Sequence, residues 1–323
     1  MLRSETAANP ERMQRALAGL RRYQDWPRTP APPPMPAVAE RHGAALRDYG
    51  GSGPDLVFVP SLINPPTVLD LGDRSLLRLL ARRGFRVRLL DWGWPEGERR
   101  GMDVTAHVER ILVPLLRDLG APPLLCGYCL GGTMAIGAAA LVPARAVVTI
   151  AAPWHFGGFP DESRARLAGL WRGARPAAEA LGLLPMEVLQ SAFWSLDPAR
   201  TVAKFEAFAD VPEPEAAAFV ALEDWANDGP PLAGAAAREL FEDFFAADRT
   251  GAGGWLADPA ALPCPQLHIA STTDRIVPHA TAPRAGERRD LALGHVGMVV
   301  GSRAPEALWE PLAGWLSRAG ASC

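Results

Sequence analysis

Leu124-Leu125-Cys126-Gly127-Tyr128-Cys129-Leu130-Gly131-Gly132 decides the architecture of this chain. A short apolar run, a G-x-C-x-G turn and a run of small residues to Leu141 predict a strand, a sharp turn and a helix. This is a nucleophile elbow with cysteine at its tip. The turn is tight, so the residues two before and two after the nucleophile must be small. Gly127 and Gly131 occupy those places. The helix start beyond the turn offers unpaired N–H groups and a positive end, which favour a thiolate and an oxyanion. Leu130 N–H is the first expected oxyanion donor.

The segments on either side continue the pattern. Alternation from Ala45 to Tyr49, the turn Gly50-Gly51-Ser52-Gly53 and apolar Leu56-Val57-Phe58-Val59 predict a hairpin opening a sheet. Helices are expected over 76–83 and 104–119, and strands over 85–90 and 146–150. Continuous apolar strands separated by helices imply a mostly parallel sheet covered on both faces. The alternation stops between Pro153 and Pro263, where the chain reads as helical and carries Trp171, Phe193, Trp194 and Trp225 among its aromatics. It resumes with a strand over 266–270, a short final strand near 291–293 and a closing helix over 305–316.

The expected class is α/β, namely the α/β-hydrolase fold: a mostly parallel central sheet flanked by helices, with a helical cap or lid inserted. Residues 1–44 are expected to form an N-terminal helix, marked by Met13, Leu17 and Leu20, and a proline-rich tether around Pro30 to Pro34. Residues 45–153 and 264–323 make the core, and 154–263 the cap, a natural lid over the site.

Composition narrows the function. Of 323 residues, 48% are hydrophobic and 21% charged, which fits a globular domain and excludes disorder. The net charge is −3, Lys204 is the only lysine and the arginines form no basic block, so nucleic acid is not an expected partner. No apolar run reaches the roughly 18 residues that a membrane span needs, and the start Met1-Leu2-Arg3-Ser4-Glu5 lacks an apolar signal core. A cytoplasmic location without a transmembrane segment is expected.

Cys126, Cys129, Cys264 and Cys323 are too few and too uneven for a disulfide framework and are expected as free thiols. Cys126 and Cys129 also have the C-x-x-C spacing of a redox pair. The strand register points Cys126 into the fold, so it is expected as a small buried apolar residue. No metal is expected.

A cysteine nucleophile needs a base, and the base needs a group that fixes its tautomer. In this fold the chain order is nucleophile, acid, histidine. Ser271-Thr272-Thr273-Asp274-Arg275-Ile276-Val277-Pro278 puts Asp274 in the loop after a strand, and Leu293-Gly294-His295-Val296-Gly297 puts a histidine just after the last one. The expected triad is Cys129, Asp274 and His295. His155 precedes the acid, His268 sits inside a strand and His279 opens a helix, while His42 and His107 read as surface residues. The second oxyanion donor is expected in the loop Pro60-Ser61-Leu62-Ile63-Asn64-Pro65-Pro66, at Leu62 or Ile63, with Ile63 the candidate.

Several segments together resemble the polyhydroxyalkanoate synthases. They are Val59-Pro60-Ser61-Leu62-Ile63-Asn64 with Leu69-Asp70-Leu71, Asp91-Trp92-Gly93-Trp94-Pro95, Gly127 to Gly132, Asp274 to Pro278 and Gly294 to Gly297. They keep the family's order across roughly residues 49–316. The resemblance is closest to the short synthases that act with a partner subunit. Where that family has tryptophan followed by asparagine in its lid, this chain reads Trp225-Ala226-Asn227-Asp228-Gly229.

The resemblance implies an acyltransferase that polymerises (R)-3-hydroxyacyl-CoA through a thioester on Cys129, with acyl-CoA as substrate and no further cofactor. It also implies a homodimer or a partner synthase subunit, and association with polyester granules. Two alternatives use the same residues differently. One is a hydrolase, either an acyl thioesterase or an intracellular polyester depolymerase, with water as acceptor. The other is a non-catalytic granule-binding or synthase-partner protein, against which three intact triad residues argue.

Overall fold

The computed structural model of the protein describes residues 2–321 apart from 29, 31, 72 and 73. Its central sheet has eight strands: β1 (Ala37–Arg41), β2 (Ala44–Asp48), β3 (Asp55–Val59), β4 (Arg86–Asp91), β5 (Leu124–Tyr128), β6 (Ala146–Ile150), β7 (Gln266–Ser271) and β8 (Glu287–Leu291). Their order is β1-β2-β4-β3-β5-β6-β7-β8. The pairs β1–β2 and β2–β4 are antiparallel, and every pairing from β4 to β8 is parallel.

Alternate residues of β3 face opposite sides, which is why its apolar run is unbroken. Leu56 and Phe58 join one apolar cluster with Leu124 and Val148; Val57 and Val59 join a second with Leu125 and Val147. Here the longer helices are α1 (Pro10–Asp25), α2 (Leu76–Arg82), α3 (Leu130–Leu141), α4 (Asp161–Leu181), α5 (Met186–Leu196), α6 (Pro198–Phe208), α7 (Glu213–Asn227) and α8 (Glu310–Ala321).

 The cover over the first cluster is made by Leu76, Leu77 and Leu80 of α2 and by Leu312 and Leu316 of α8. The second cluster is closed by the segment 104–117, by α3 and by the cap. Helix α1 itself packs on the cap and not on the sheet.

Three expectations need correction. The opening hairpin joins β1 to β2 through His42 and Gly43, both at positive φ, whereas β4 lies between β2 and β3. The sheet therefore begins at Ala37, ahead of the boundary expected at 45. The final strand is Glu287–Leu291, earlier than 291–293, because an edge strand carries charged, exposed side chains and gives no apolar signal. The helix expected over 104–119 ends at Arg117 and widens over Val108–Leu112. Pro114 has no N–H to donate there, and Val113 N–H reaches Val108 O.

Between β6 and β7 the chain is helical, from α4 to α7 and on through 234–246. Rings pack these helices together: Trp171 stacks on Phe241 with centroids 5.3 Å apart, and Phe208 on Phe219 at 4.2 Å. Helix α1 lies along α6 so closely that a Cβ on Gly19 would sit 1.8 Å from Phe205 O. Arg22 donates to Phe208 O and Ala209 O, capping the end of α6. Cys126 and Cys129 are free thiols, and Cys323 lies outside the described residues. Among the described residues, no helix is long and apolar enough to cross a membrane.

Candidate active site

Cys129 stands between β5 and α3 with φ +55° and ψ −132°, a backbone conformation that non-glycine residues rarely adopt. Its neighbours make the turn possible. A Cβ on Gly127 would lie 2.3 Å from Gly132 Cα, and one on Gly131 would lie 2.0 Å from Val59 O. Gly132 is equally confined, 2.3 Å from Ala152 Cβ. Cys129 N–H donates to Ile150 O at 3.0 Å, which ties the strained tip to β6.

Asp274 and His295 come from the loops that follow β7 and β8. His295 Nδ1 and Asp274 Oδ2 are 2.6 Å apart, with both residues buried. Asp274 Oδ1 accepts Ile276 N–H at 2.7 Å and Val277 N–H at 3.1 Å, so the carboxylate is held at both oxygens. Ser271 joins the two loops: its hydroxyl donates to Leu293 O and accepts Thr273 N–H. Burial alone lowers the basicity of His295. The charges of Asp274 and Cys129, with their hydrogen bonds, outweigh it and push the imidazole up to about 10. With Nδ1–H directed at Asp274, Nε2 is the nitrogen left for Cys129.

The other histidines stand apart from this pair. His268 is buried in the sheet, with Nδ1 2.8 Å from Thr149 Oγ1. His279 pairs with Asp290 at 2.8 Å, and His42 with Glu98. His107 corrects an expectation: it is buried, with Nδ1 2.7 Å from Asp103 O and its ring edge-on to Trp92. His155 is half-buried and outside the cavity that holds His295.

That cavity has a volume of about 210 Å³ and reaches Cys129, His295, Ile63, Phe193, Lys204 and Trp225. Ile63 N–H, the expected second oxyanion donor, donates to Ser61 Oγ at 3.0 Å. Ser61 closes a local turn there, a competition that the bare sequence does not display. Lys204 and Glu223 form an ion pair inside the cavity, Nζ lying 2.8 and 2.6 Å from the two carboxylate oxygens. Neither was found by sequence reasoning; that Lys204 is the only lysine was the available signal. Trp225 Nε1–H donates to Pro65 O at 2.8 Å, and Asn64 Nδ2 to Ala226 O at 3.1 Å. The segment Trp225 to Gly229 thereby grips the loop after β3. Among the described residues, no three His, Cys, Asp or Glu side chains are gathered as a metal set.

Comparisons with known proteins agree with this architecture. A family profile described as alpha/beta hydrolase fold matches residues 56–295, a span containing Cys129, Asp274 and His295. The chain is 30% identical over 293 residues to the poly(3-hydroxyalkanoate) polymerase subunit PhaC of Haloferax mediterranei, covering 81% of this chain and 58% of that protein. It is 29% identical over 290 residues to the PhaC polymerase subunit of Allochromatium vinosum, covering 81% of this chain and 80% of that one. A carboxylesterase structure from the Thaumarchaeon Nitrososphaera gargenis superposes with a TM-score of 0.55 at 17% identity, over 89% of this chain and 98% of that one, a likeness of fold. The chain belongs to the alpha/beta hydrolase fold family, and PhaC polymerase subunits are its curated relatives.

Proposed function

We propose that the protein is an acyltransferase of the polyhydroxyalkanoate synthase type, polymerising (R)-3-hydroxyacyl groups delivered as CoA thioesters. The observation that carries this is Cys129 at the strained elbow, facing a His295 that Asp274 holds at 2.6 Å, inside a cavity under the cap. The PhaC relatives support the choice of reaction.

Cys129 Sγ gives its proton to His295 Nε2 and attacks the thioester carbonyl carbon. The carbonyl π electrons move to oxygen, which Leu130 N–H receives, joined by Ile63 N–H once Ser61 Oγ releases it. The intermediate collapses with cleavage of the C–S bond to CoA, whose sulfur takes the proton from His295. One thioester has replaced another, so the step is nearly isoenergetic and the enzyme keeps an activated acyl group. His295 next takes the proton of a 3-hydroxyl. The oxygen attacks the acyl carbon, an ester forms, and Cys129 leaves and recovers its proton from His295.

These steps use the triad and backbone amides, with acyl-CoA as substrate and no further cofactor. The protein works in the cytoplasm at polyester granules, as a homodimer or with a partner synthase subunit. Incubation with (R)-3-hydroxybutyryl-CoA, with Cys129→Ala as control, tests the proposal. Oligomer bound to Cys129 with release of CoA supports it. CoA release with only free hydroxy acid establishes a hydrolase.

A further inference from the structure

Behind the catalytic cavity lies a second cavity of about 360 Å³, bordered by Leu167, Leu240 and Phe241 of the cap. Ile63, Phe193 and Ile276 line both cavities and so form the wall between them. Small-molecule sites run to about 300–1,000 Å³. At about 210 Å³ the catalytic cavity alone falls below that range and suits a short acyl group, whereas the two joined fall within it.

The three wall residues differ in position and size. Ile276 is anchored through its N–H to Asp274 Oδ1 at 2.7 Å, and Ile63 through its N–H to Ser61 Oγ at 3.0 Å. Phe193 stands half-buried on α5 and carries the bulkiest side chain of the three. A third cavity, of about 410 Å³, also meets Phe193 and carries Arg200, Lys204, Arg275 and His295. Lys204 is paired there with Glu223 and Arg275 with Asp197, so Arg200 is the cation that suits a phosphate of a CoA carrier. The carrier on that side leaves the alkyl end of the acyl group pointing to the apolar side.

Resting on acyl transfer at Cys129, we infer that Phe193 sets the length of acyl group the enzyme accepts, and that the apolar cavity behind it takes the alkyl tail of a longer 3-hydroxyacyl group once that ring is trimmed. With the ring in place, short acyl groups are selected. Without it, the tail of a longer group passes between Ile63 and Ile276 and is buried against Leu167 and Leu240.

The test compares CoA release from (R)-3-hydroxybutyryl-CoA and (R)-3-hydroxyoctanoyl-CoA by the full chain. Hydrophobic pockets discriminate a single methylene by about 10-fold or more. Phe193→Ala is therefore expected to shift the kcat/KM ratio about 10-fold or more toward the octanoyl thioester. Adding Leu167→Trp, which fills the apolar cavity, returns the ratio toward wild type. Phe193→Leu, a milder change for folding, shifts it in the same direction by less. If both Phe193 variants release CoA from the short thioester with an unchanged ratio, the inference is overturned while acyl transfer stands. If the wild type releases CoA from neither thioester, acyl transfer itself falls and the inference with it.

Discussion

The Tyr128 ring lies against the His295 imidazole, centroids 5.1 Å apart, and its hydroxyl donates to His295 O at 3.4 Å. The residue preceding Cys129 thus supports His295. Burial, then the charges of Cys129 and Asp274, push the Tyr128 phenol well above its ordinary value, so it stays a neutral donor. Tyr128→Phe keeps the ring contact and is expected to retain activity within a few-fold. Tyr128→Leu removes it and is expected to lower kcat about 10- to 100-fold with little change in KM, since small misplacements at a reacting centre carry that penalty. Steady-state CoA release, normalised to titratable Cys129, separates this from a loss of folded protein.

Asp274→Asn leaves the shape of the site intact. Its amide oxygen still accepts Ile276 and Val277 N–H, but an amide nitrogen then meets His295 Nδ1. The imidazole must turn its lone pair toward the amide and carry its proton on Nε2, the wrong tautomer to accept one from Cys129. Acylation is expected to slow by about 10³- to 10⁴-fold, with stability changed far less. Single-turnover CoA release checks the first, and a urea melt the second.

The elbow was legible in the sequence because steric demand is local. Gly127 and Gly131 had to be small whatever the rest of the chain did, and they fix Cys129 between them. Asp274 could be chosen because it follows an apolar strand, and His295 because it comes after the acid in the order the fold imposes. The strand Glu287–Leu291 was placed too late because an exposed edge strand has no apolar pattern to read. His107 was misjudged as a surface residue because its burial depends on Trp92 and Asp103, contacts that periodicity does not reveal. The Ser61 hydroxyl and the Lys204–Glu223 pair were invisible for the same reason: each depends on how the loops and cap helices meet.

Two glycines should respond in opposite ways. At Gly131 a new Cβ would meet the backbone at Val59 O, 2.0 Å away, and the backbone cannot give way without disrupting the sheet. Gly131→Ala is expected to destabilise by about 4 kcal/mol or more, or to prevent folding. Gly169 lies on the exposed face of α4 with nothing within 4 Å of its Cβ position. Gly169→Ala is expected to stabilise by about 1 kcal/mol through helix propensity alone. Chemical denaturation of the two variants reads both signs.

Stability should peak near pH 6.5. Burial, chiefly, pulls His107 and His268 down to about 4 from 6.5, so the unfolded chain binds more protons between these values. Their contribution is full above pH 6.5 and is lost as pH falls toward 4, roughly 3 kcal/mol for each. His295, raised to about 10, has the opposite sign: its contribution is full below pH 6.5 and is lost as pH rises through 10. Urea midpoints across pH are expected to fall on both sides. His268→Asn should flatten the acid limb, and a variant that leaves that limb as steep as wild type would remove His268 as its cause.

In the proposed reaction, keeping an acyl group on Cys129 depends on keeping water away from it. Trp225 contributes by joining α7 to the loop after β3, its Nε1–H donating to Pro65 O at 2.8 Å while the ring borders the catalytic cavity. Trp225→Phe preserves an aromatic wall but deletes that hydrogen bond, a change worth about 1 kcal/mol of stability. With the cap less firmly held, water competes with the 3-hydroxyl, and the ratio of free hydroxy acid to polymer is expected to rise several-fold while the acylation rate stays near wild type. Product analysis alongside single-turnover CoA release tells the two steps apart. An unchanged product ratio would show that the Trp225 bond to Pro65 has no part in excluding water.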